Sequence, residues 1–443
     1  MGTENKNYLV VGLGKTGMAT LTFLNQRGLN ARGTDSSTRS SFKNNEIESL
    51  TASGIEIEFG SHSDSYLDWA DELIISPGVS VNTPYLVKAK KLNKKIVSEI
   101  EFATNFINTP IIAITGSNGK TTTTTLISEI LKNSGLKIFT GGNIGTPLIT
   151  IVENADEYDF IVLETSSFQL QTTDKFRPFI AVFLNISPNH LDHHSDFEEY
   201  FQSKTNIFKN QTPDDWAIIN SGNELINNYS EKIKSKIVSF GNISGHENIV
   251  LNGSTAEFRN EFYDLSEMKL IGSHNLDNAM CAISATTIAG CEKDIIENTI
   301  LNFNPLPHRI EYIGKHRGVD VYNDSKSTSP GATLKALDSI SPPIILLAGG
   351  KDKGTDYKVL TEPLNKRVKH LVLFGEAKKR MNQQLGMSVS TTIVDSLEEA
   401  VEKAFSNSSE DDSILLSPAC SSFDMFSSYE ERGEVFKKIV QNI

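Results

Sequence analysis

Short apolar runs, closed by glycine- and proline-rich turns, alternate with stretches in which apolar residues return every three or four positions. The first pattern predicts buried strands and the second amphipathic helices. Residues 8–13 read as a strand, 18–26 as a helix and 71–76 as another strand, closed by Ser76, Pro77 and Gly78. Helical residues 99–105 give way to Thr109 and Pro110, so a first domain is set at residues 1–98. A second strand–loop–helix unit follows at 111–115, 116–120 and 121–133, with further strands at 160–164 and 180–185. This is the order of a parallel sheet with crossover helices. Residues 249–271 have a shorter period and suggest a small antiparallel insert, and 275–289 a helix with small apolar residues on one face. Asn304, Pro305, Leu306 and Pro307 form a linker, which bounds a second domain at 99–305 and a third at 306–443. The third carries strands at 319–323, 344–348, 371–374 and 414–417 and a helix at 397–404, again a doubly wound α/β pattern. The expectation is a three-domain α/β protein: Rossmann-like, then P-loop-type, then doubly wound. The three units show no sequence repeat.

The 443-residue length agrees with about three domains. A composition of 38% hydrophobic and 22% charged residues is that of a globular chain. No apolar run approaches the roughly 20 residues needed to span a membrane. The polar start lacks the pattern of a signal peptide. Cys281, Cys291 and Cys420 form no CxxC pair and suit a reducing compartment, so the chain is placed in the cytoplasm. A net charge of −13 argues against nucleic acid as a partner, since phosphate backbones need a basic surface. It leaves room for small anions, which local lysines, arginines and backbone N–H groups can hold.

Two glycine loops compete for a nucleotide. The first, Gly12-Leu13-Gly14-Lys15-Thr16-Gly17, follows the first strand, with Asp35 near the end of the second. It has the form of a dinucleotide fingerprint, compatible with a nicotinamide or flavin, another nucleotide diphosphate, or a tight turn alone. The second, Gly116-Ser117-Asn118-Gly119-Lys120-Thr121, resembles a P-loop, whose N–H groups and helix N-terminus cradle phosphates. It is shortened: Ile114 stands where the first glycine of that motif belongs.

That shortened loop, from Thr115 to Thr122, resembles the Mur ligase family, and the resemblance continues in order through most of the chain. Gly141-Gly142-Asn143-Ile144-Gly145 looks like the family's substrate loop, and Glu164-Thr165-Ser166-Ser167-Phe168-Gln169-Leu170 like the segment with its magnesium glutamate. His190 and Asp192 lie in a segment similar to its histidine motif, with Asn189 where the family has aspartate. Ser203-Lys204 resembles its modified-lysine site, and Gly272-Ser273-His274-Asn275-Leu276-Asp277-Asn278 its adenine segment. His308-Arg309 and Asn323-Asp324-Ser325-Lys326-Ser327-Thr328 complete the nucleotide side. Gly349-Gly350-Lys351-Asp352-Lys353 and the segment from Ser417 through Ser422 and Phe423 resemble the pocket of those members that take D-glutamate.

The resemblance implies ligation of D-glutamate to UDP-N-acetylmuramoyl-L-alanine, with ATP, through an acyl phosphate and a tetrahedral intermediate, by a monomer in the cytoplasm. Lys120, His190, Lys204, Arg309 and Lys326 would carry the chemistry. Gly116, Ser117, Asn118, Gly119, Lys120, Thr121, Thr122, Asn278, Arg309 and Asp324 would hold ATP. Lys15, Thr16, Asp35, Ser36, Ser76, Gly78, Asn143, Ser166, Gln169 and His190 would hold the UDP substrate. Thr328, Lys353, Ser422, Phe423 and Tyr429 would hold D-glutamate. Two Mg²⁺ ions would be met by Thr121, Glu164, His190 and a carbamylated Lys204. Read alone, Lys204 is a solvated lysine of a helix at 197–209, Lys15 serves a diphosphate or water, Glu164 could be salt-bridged, and His193 and His194 lie at the surface. A zinc cluster of His190, Asp192, His193 and His194 is a competing reading of that loop. The rival functions are another Mur-type or folate-glutamylating ligase, a nicotinamide-dependent oxidoreductase, and a non-enzymatic nucleotide switch.

Overall fold

The computed structural model describes residues 6–42, 44–188, 193–240, 246–270, 272–304 and 307–443. They form two compact units. One runs to Ser266 and includes Asn278–Ile300; the other comprises Glu267–Asp277 and Leu301–Ile443.

The first unit opens with strands β1 (Asn7–Val11), β2 (Asn30–Asp35), β3 (Glu56–Phe59), β4 (Glu72–Ile75) and β5 (Lys95–Ser98). They are parallel, in the order β3-β2-β1-β4-β5. The chain builds outward on one side of β1 and then returns to the other, so a crevice opens at the carboxyl ends of β1 and β4. The helix predicted at 18–26 starts earlier, at Lys15, because the end of the glycine loop is its first turn.

A second sheet uses β6 (Ile111–Thr115), β7 (Ile138–Gly142), β8 (Phe160–Glu164), β9 (Ile180–Phe183), β10 (Trp216–Asn220), β11 (Lys236–Phe240) and β12 (Glu247–Asn248). It is parallel, in the order β12-β11-β10-β9-β6-β8-β7. Every residue of β6 is buried, as expected for a strand covered on both faces. Ile114 pairs with Glu164, and Glu164 with Gly142, so three strand ends lie in rank along one edge. The expected insert is a three-stranded antiparallel sheet, β13 (Val250–Asn252), β14 (Thr255–Phe258) and β15 (Glu261–Asp264).

The second unit holds β16 (Glu311–His316), β17 (Val319–Asn323), β18 (Ile344–Gly349), β19 (Val368–Phe374), β20 (Thr391–Ile393) and β21 (Ser413–Leu416), in the order β16-β17-β21-β18-β19-β20. All its pairs are parallel except β16 with β17. Among the described residues no helix is long and apolar enough to cross a membrane.

In the first unit the helix Glu99–Ala103 leaves β5 without a break and joins the two large sheets. One apolar core runs past it, from Tyr8, Phe23 and Leu24 through Phe102 to Ile111, Phe139 and Leu163. Two acids are buried at this joint. Glu99 Oε1 accepts the Ile149 N–H at 2.6 Å, and Glu101 accepts the N–H groups of Lys175 and Phe176, each at 2.9 Å. Burial pushes the Glu99 carboxyl up to about 7, against the pull of the Ile149 and Leu148 N–H groups. A carboxyl raised in this way keeps its proton longer in the folded chain than in the unfolded one. Its contribution is therefore greatest below the ordinary value of 4.5 and is lost as pH rises through about 7. Glu99→Gln, which cannot ionise, should gain on the wild-type chain by roughly 2–4 kcal/mol between about pH 4.5 and 8. Denaturant midpoints of the two proteins across that range check this; parallel pH profiles would contradict it.

Candidate active site

The shortened glycine loop joins β6 to the helix Lys120–Asn133 at the carboxyl edge of the second sheet. Two glycines make it possible. Gly119 precedes the helix at φ +85, and a Cβ there would meet the Asn278 side chain; Gly116, at φ +150, lies against Leu184 and Asn185. The loop is held in shape by reciprocal bonds: Asn185 Oδ1 accepts the Asn118 N–H at 2.9 Å, and Asn185 Nδ2 donates to Asn118 O at 3.0 Å. Ser117 Oγ donates to Ser187 O at 3.0 Å and accepts the Ser187 N–H at 2.9 Å. Backbone N–H groups at the start of a 14-residue helix are thereby presented together, the arrangement that binds anions. Lys120 folds back over the loop, its Nζ 2.9 Å from Gly116 O. Thr122 is buried on the helix, and Asn278 fixes the next residue, accepting the Thr123 hydroxyl at 3.1 Å.

Beside the loop, Glu164 ends β8 and is 3% exposed. Its Oε2 accepts from Thr121 Oγ1 at 2.7 Å and its Oε1 from Asn143 Nδ2 at 3.0 Å. A hydroxyl and a carboxylate are hard oxygen donors. They suit Mg²⁺, which keeps waters and takes phosphate oxygens, rather than a metal that needs a full cage of side chains. No group of three or more His, Cys, Asp or Glu able to hold a metal occurs among the described residues; two members of the zinc reading, His190 and Asp192, are not among them. Asn189, His190 and Asp192 lie outside the described residues.

Lys204 sits on the helix Phe197–Thr205 and is buried at 1% exposure. That helix ends four residues sooner than the predicted 209, in a short 3-10 turn. The Lys204 Nζ lies 2.9 Å from Gly116 O, 3.4 Å from Thr115 Oγ1 and 4.9 Å from the centre of the Tyr200 ring. A solvated lysine is what the helix alone suggests; the structure turns it inward, because Tyr200, one turn earlier on the same face, packs under the loop and meets Ser117 Oγ at 3.0 Å. Burial first, and the Lys120 charge second, hold the Lys204 amine well below the ordinary lysine range, with Glu164 opposing. Both causes work against the charged form of the amine.

The crevice of the first sheet is a cavity of about 650 Å³. Gly12, Gly14, Lys15, Thr16, Asp35, Ser36, Ser76, Pro77 and Gly78 line it, joined by Gly142, Asn143 and His193. Asp35 is engaged by backbone, accepting from Leu13 N at 2.6 Å and Ser37 N at 2.7 Å. Ser76 Oγ donates to Gly12 O at 2.6 Å, and Lys15 Nζ donates to Gly145 O at 2.6 Å. Ser166 and Gln169 cap the helix Ser167–Gln171 reciprocally; the Gln169 Nε2 is buried with no partner among the described residues. His194 is not at the surface: it is 2% exposed, meets Ser167 Oγ at 2.9 Å and stacks on Phe168, whose ring also covers His193.

The second unit carries the remaining candidates. Asp324, following β17, is buried; its Oδ1 accepts the Ile310 N–H at 3.2 Å and its Oδ2 the Ser417 hydroxyl at 2.8 Å. Burial pushes its carboxyl up to about 6, opposed by Ser327, Ser417 and Arg309. Arg309 is half-buried, and its Nε has no partner among the described residues. Lys326 lies over the Tyr429 ring at 5.4 Å, and Thr328 donates its N–H to Lys326 O at 2.9 Å. Lys353 and Phe423 are exposed, while Ser422 is buried and its carbonyl accepts from Met425 and Phe426. Beneath this segment lies Arg432, fully buried, donating to Ser325 Oγ at 2.9 Å, Ser325 O at 2.8 Å and Cys420 O at 3.1 Å. Arg432 and Tyr200 were not singled out from the sequence, and Asn185 only as the start of the segment similar to the family's histidine motif. Only the four-residue spacing of Tyr200 from Lys204 could have suggested one of them.

Three family models match the chain in order: a Mur ligase MurD-like N-terminal domain at residues 6–98, a Mur ligase middle domain at 114–286, and a Mur ligase glutamate ligase domain at 308–420. A protein of Geotalea uraniireducens named UDP-N-acetylmuramoylalanine–D-glutamate ligase is 42% identical over 99% of this chain and 98% of its own. A protein of the same name from a Thermoanaerobacter species is 38% identical over the full length of both. Among solved structures, a pseudomurein peptide ligase type C from Methanothermus fervidus shares the fold, with a TM-score of 0.62 at 19% identity, covering 99% of this chain and 100% of that one.

Proposed function

Because the chain belongs to the Mur ligase family, we propose that it joins D-glutamate to UDP-N-acetylmuramoyl-L-alanine, converting ATP to ADP and phosphate. The observation that carries this reading is the clustering on one sheet edge of an anion-binding glycine loop, an oxygen pair for Mg²⁺ at Glu164 and Thr121, and the buried amine of Lys204. Relatives named for this reaction match over their whole length, which favours it over another amino-acid ligase, a folate-glutamylating enzyme, a nicotinamide oxidoreductase or a nucleotide switch.

A carboxylate oxygen cannot leave at neutral pH, so the alanyl carboxylate must first be activated. It attacks the γ-phosphorus, ADP leaves, and an acyl phosphate forms. The D-glutamate amine then adds to that carbonyl, the tetrahedral adduct collapses, phosphate departs, and the amine's extra proton passes to solvent. Such chemistry asks the protein for positioning and charge, not covalent help. The Gly116–Thr122 segment cradles the phosphates by backbone N–H groups, and Lys120 neutralises them. Mg²⁺ supplies further neutralisation of the phosphate oxygens when bound, with Thr121 and Glu164 as its holders. Arg309 and Lys326 stabilise the phosphate in transfer, Asp324 takes the ribose, and Asn278 reads the adenine edge. The cavity at Lys15, Thr16, Asp35, Ser36, Ser76 and Gly78 takes the UDP part, with Asn143, Ser166, Gln169 and His190 toward the acyl end. Lys353, Thr328, Ser422 and the Phe423 backbone hold the two D-glutamate carboxylates, with Tyr429 beside them. In this reading residues 1–98, 99–305 and 306–443 divide the UDP-substrate, ATP and D-glutamate roles within a cytoplasmic monomer.

Lys204 completes the reading. Its low pKa frees the amine to attack CO₂, forming an N–C bond and releasing one proton, which turns a would-be cation into a carboxylate. That carbamate, with His190, would support a second Mg²⁺.

Phosphate release with ATP and UDP-N-acetylmuramoyl-L-alanine should depend on D-glutamate and not on L-alanine, L-lysine or diaminopimelate. Equal rates with any of these would refute the substrate assignment. Lys204→Ala should lose turnover by about 100-fold or more, and short carboxylic acids added to the assay should restore part of it. Full activity without an added acid would return Lys204 to a packing role.

A further inference from the structure

Glu99 and Glu101 take no part in the chemistry above, yet both are buried at 1% exposure on a five-residue helix. Each reaches a different segment of the second sheet's layer. The Glu99 bond falls on Ile149, in the stretch that follows Asn143 and Gly145. The Glu101 bonds fall on Lys175 and Phe176, in the stretch that follows the helix Ser167–Gln171. The first of these stretches extends one wall of the 650 Å³ cavity, to which Gly142 and Asn143 belong. The opposite wall, with Gly12, Lys15 and Ser76, rises from β1 and β4, and β4 pairs with β5, whose end runs into this helix. Polar contacts also pass between the two layers: Lys15 Nζ to Gly145 O at 2.6 Å, Asn82 Nδ2 to His193 O at 3.4 Å and, farther along, the Arg27–Glu153 ion pair at 2.6 Å.

Apolar packing already joins the two layers, and a buried carboxyl is a destabilising way to add to it. What it adds is direction, because a hydrogen bond to a backbone N–H, which a carboxyl oxygen accepts whether or not it is ionised, fixes an angle that apolar contact leaves soft. Resting on the cavity's reading as the UDP-substrate site, we infer that Glu99 and Glu101 are positioning residues, a two-point carboxylate clamp that sets the cavity's width and thereby the affinity for the UDP-linked substrate.

The test uses the full-length chain with Glu99→Ala, Glu101→Ala and Glu99→Gln. Binding of UDP-N-acetylmuramoyl-L-alanine is measured by calorimetry, and KM for each substrate and kcat by phosphate release. Each alanine variant should raise Kd and KM for the UDP substrate about tenfold, with kcat and the KM for ATP within about twofold. Glu99→Gln, whose amide oxygen can still accept the Ile149 N–H, should bind as the wild type does. Should Glu101→Ala not fold, Glu101→Asp, one methylene shorter, must show the same UDP-selective defect. Alanine variants that bind normally, that lose kcat and both affinities together, or that Glu99→Gln fails to rescue would overturn the clamp. A wild-type chain that does not bind the UDP substrate would instead overturn the reading of the cavity, and the clamp's role with it.

Discussion

The amine of Lys204 is confined where a cation is poorly tolerated, and much of the surrounding structure follows from that confinement. It is enclosed by a carbonyl of the glycine loop, a threonine hydroxyl and a tyrosine ring, with a second lysine near enough to repel it. The loop can bring its carbonyl there because Gly116 and Gly119 adopt conformations that side chains would obstruct. Helix Phe197–Thr205 can bring the lysine there because Tyr200 and Lys204 share its inner face. Glu164, held between Thr121 and Asn143, supplies the nearby negative charge. The site is thus a small balance of charges in a dry place, where each counts for more than it would in water.

The parallel sheets explain why these groups meet at all. In both large sheets of the first unit the strand order reverses around an interior strand, so loops from neighbouring strands gather at one carboxyl edge. The first sheet gathers a cavity this way and the second gathers the glycine loop and Glu164. The helix Glu99–Ala103 links the two edges, since one apolar core runs past it and its buried acids bond to backbone in the second sheet's layer. Preorganisation of that kind removes part of the ordering cost of binding a long, flexible substrate.

Much of this was legible in the sequence. Residues 111–115, 160–164 and 319–323 have the predicted strand bounds, because uninterrupted apolar runs between polar turns leave little choice. The glycine loop was legible for the same reason, with a buried strand before it and a long helix after. The strands β10 and β11 were not, since short apolar runs such as those at 216–220 and 236–240 do not stand out among polar loops. Polar burial was the least legible feature. Glu99 and Glu101 look like ordinary first-turn acids, His194 like a loop residue and Arg432 like a helix-surface cation. What buries them is contact with segments far along the chain, Ile149 and Phe176 for the acids, Ser167 for the histidine and Ser325 for the arginine. Local periodicity carries no trace of such partners.

The proposal that Lys204 works as a carboxylate and not as an ammonium is tested most directly by ¹³C NMR of the full-length protein equilibrated with ¹³C-bicarbonate, Mg²⁺ and ADP, beside Lys204→Ala. One carbamate carbon resonance is expected in the wild-type chain and is missing from the variant. A wild-type spectrum without that resonance, from protein that turns over normally in the same buffer, would contradict it.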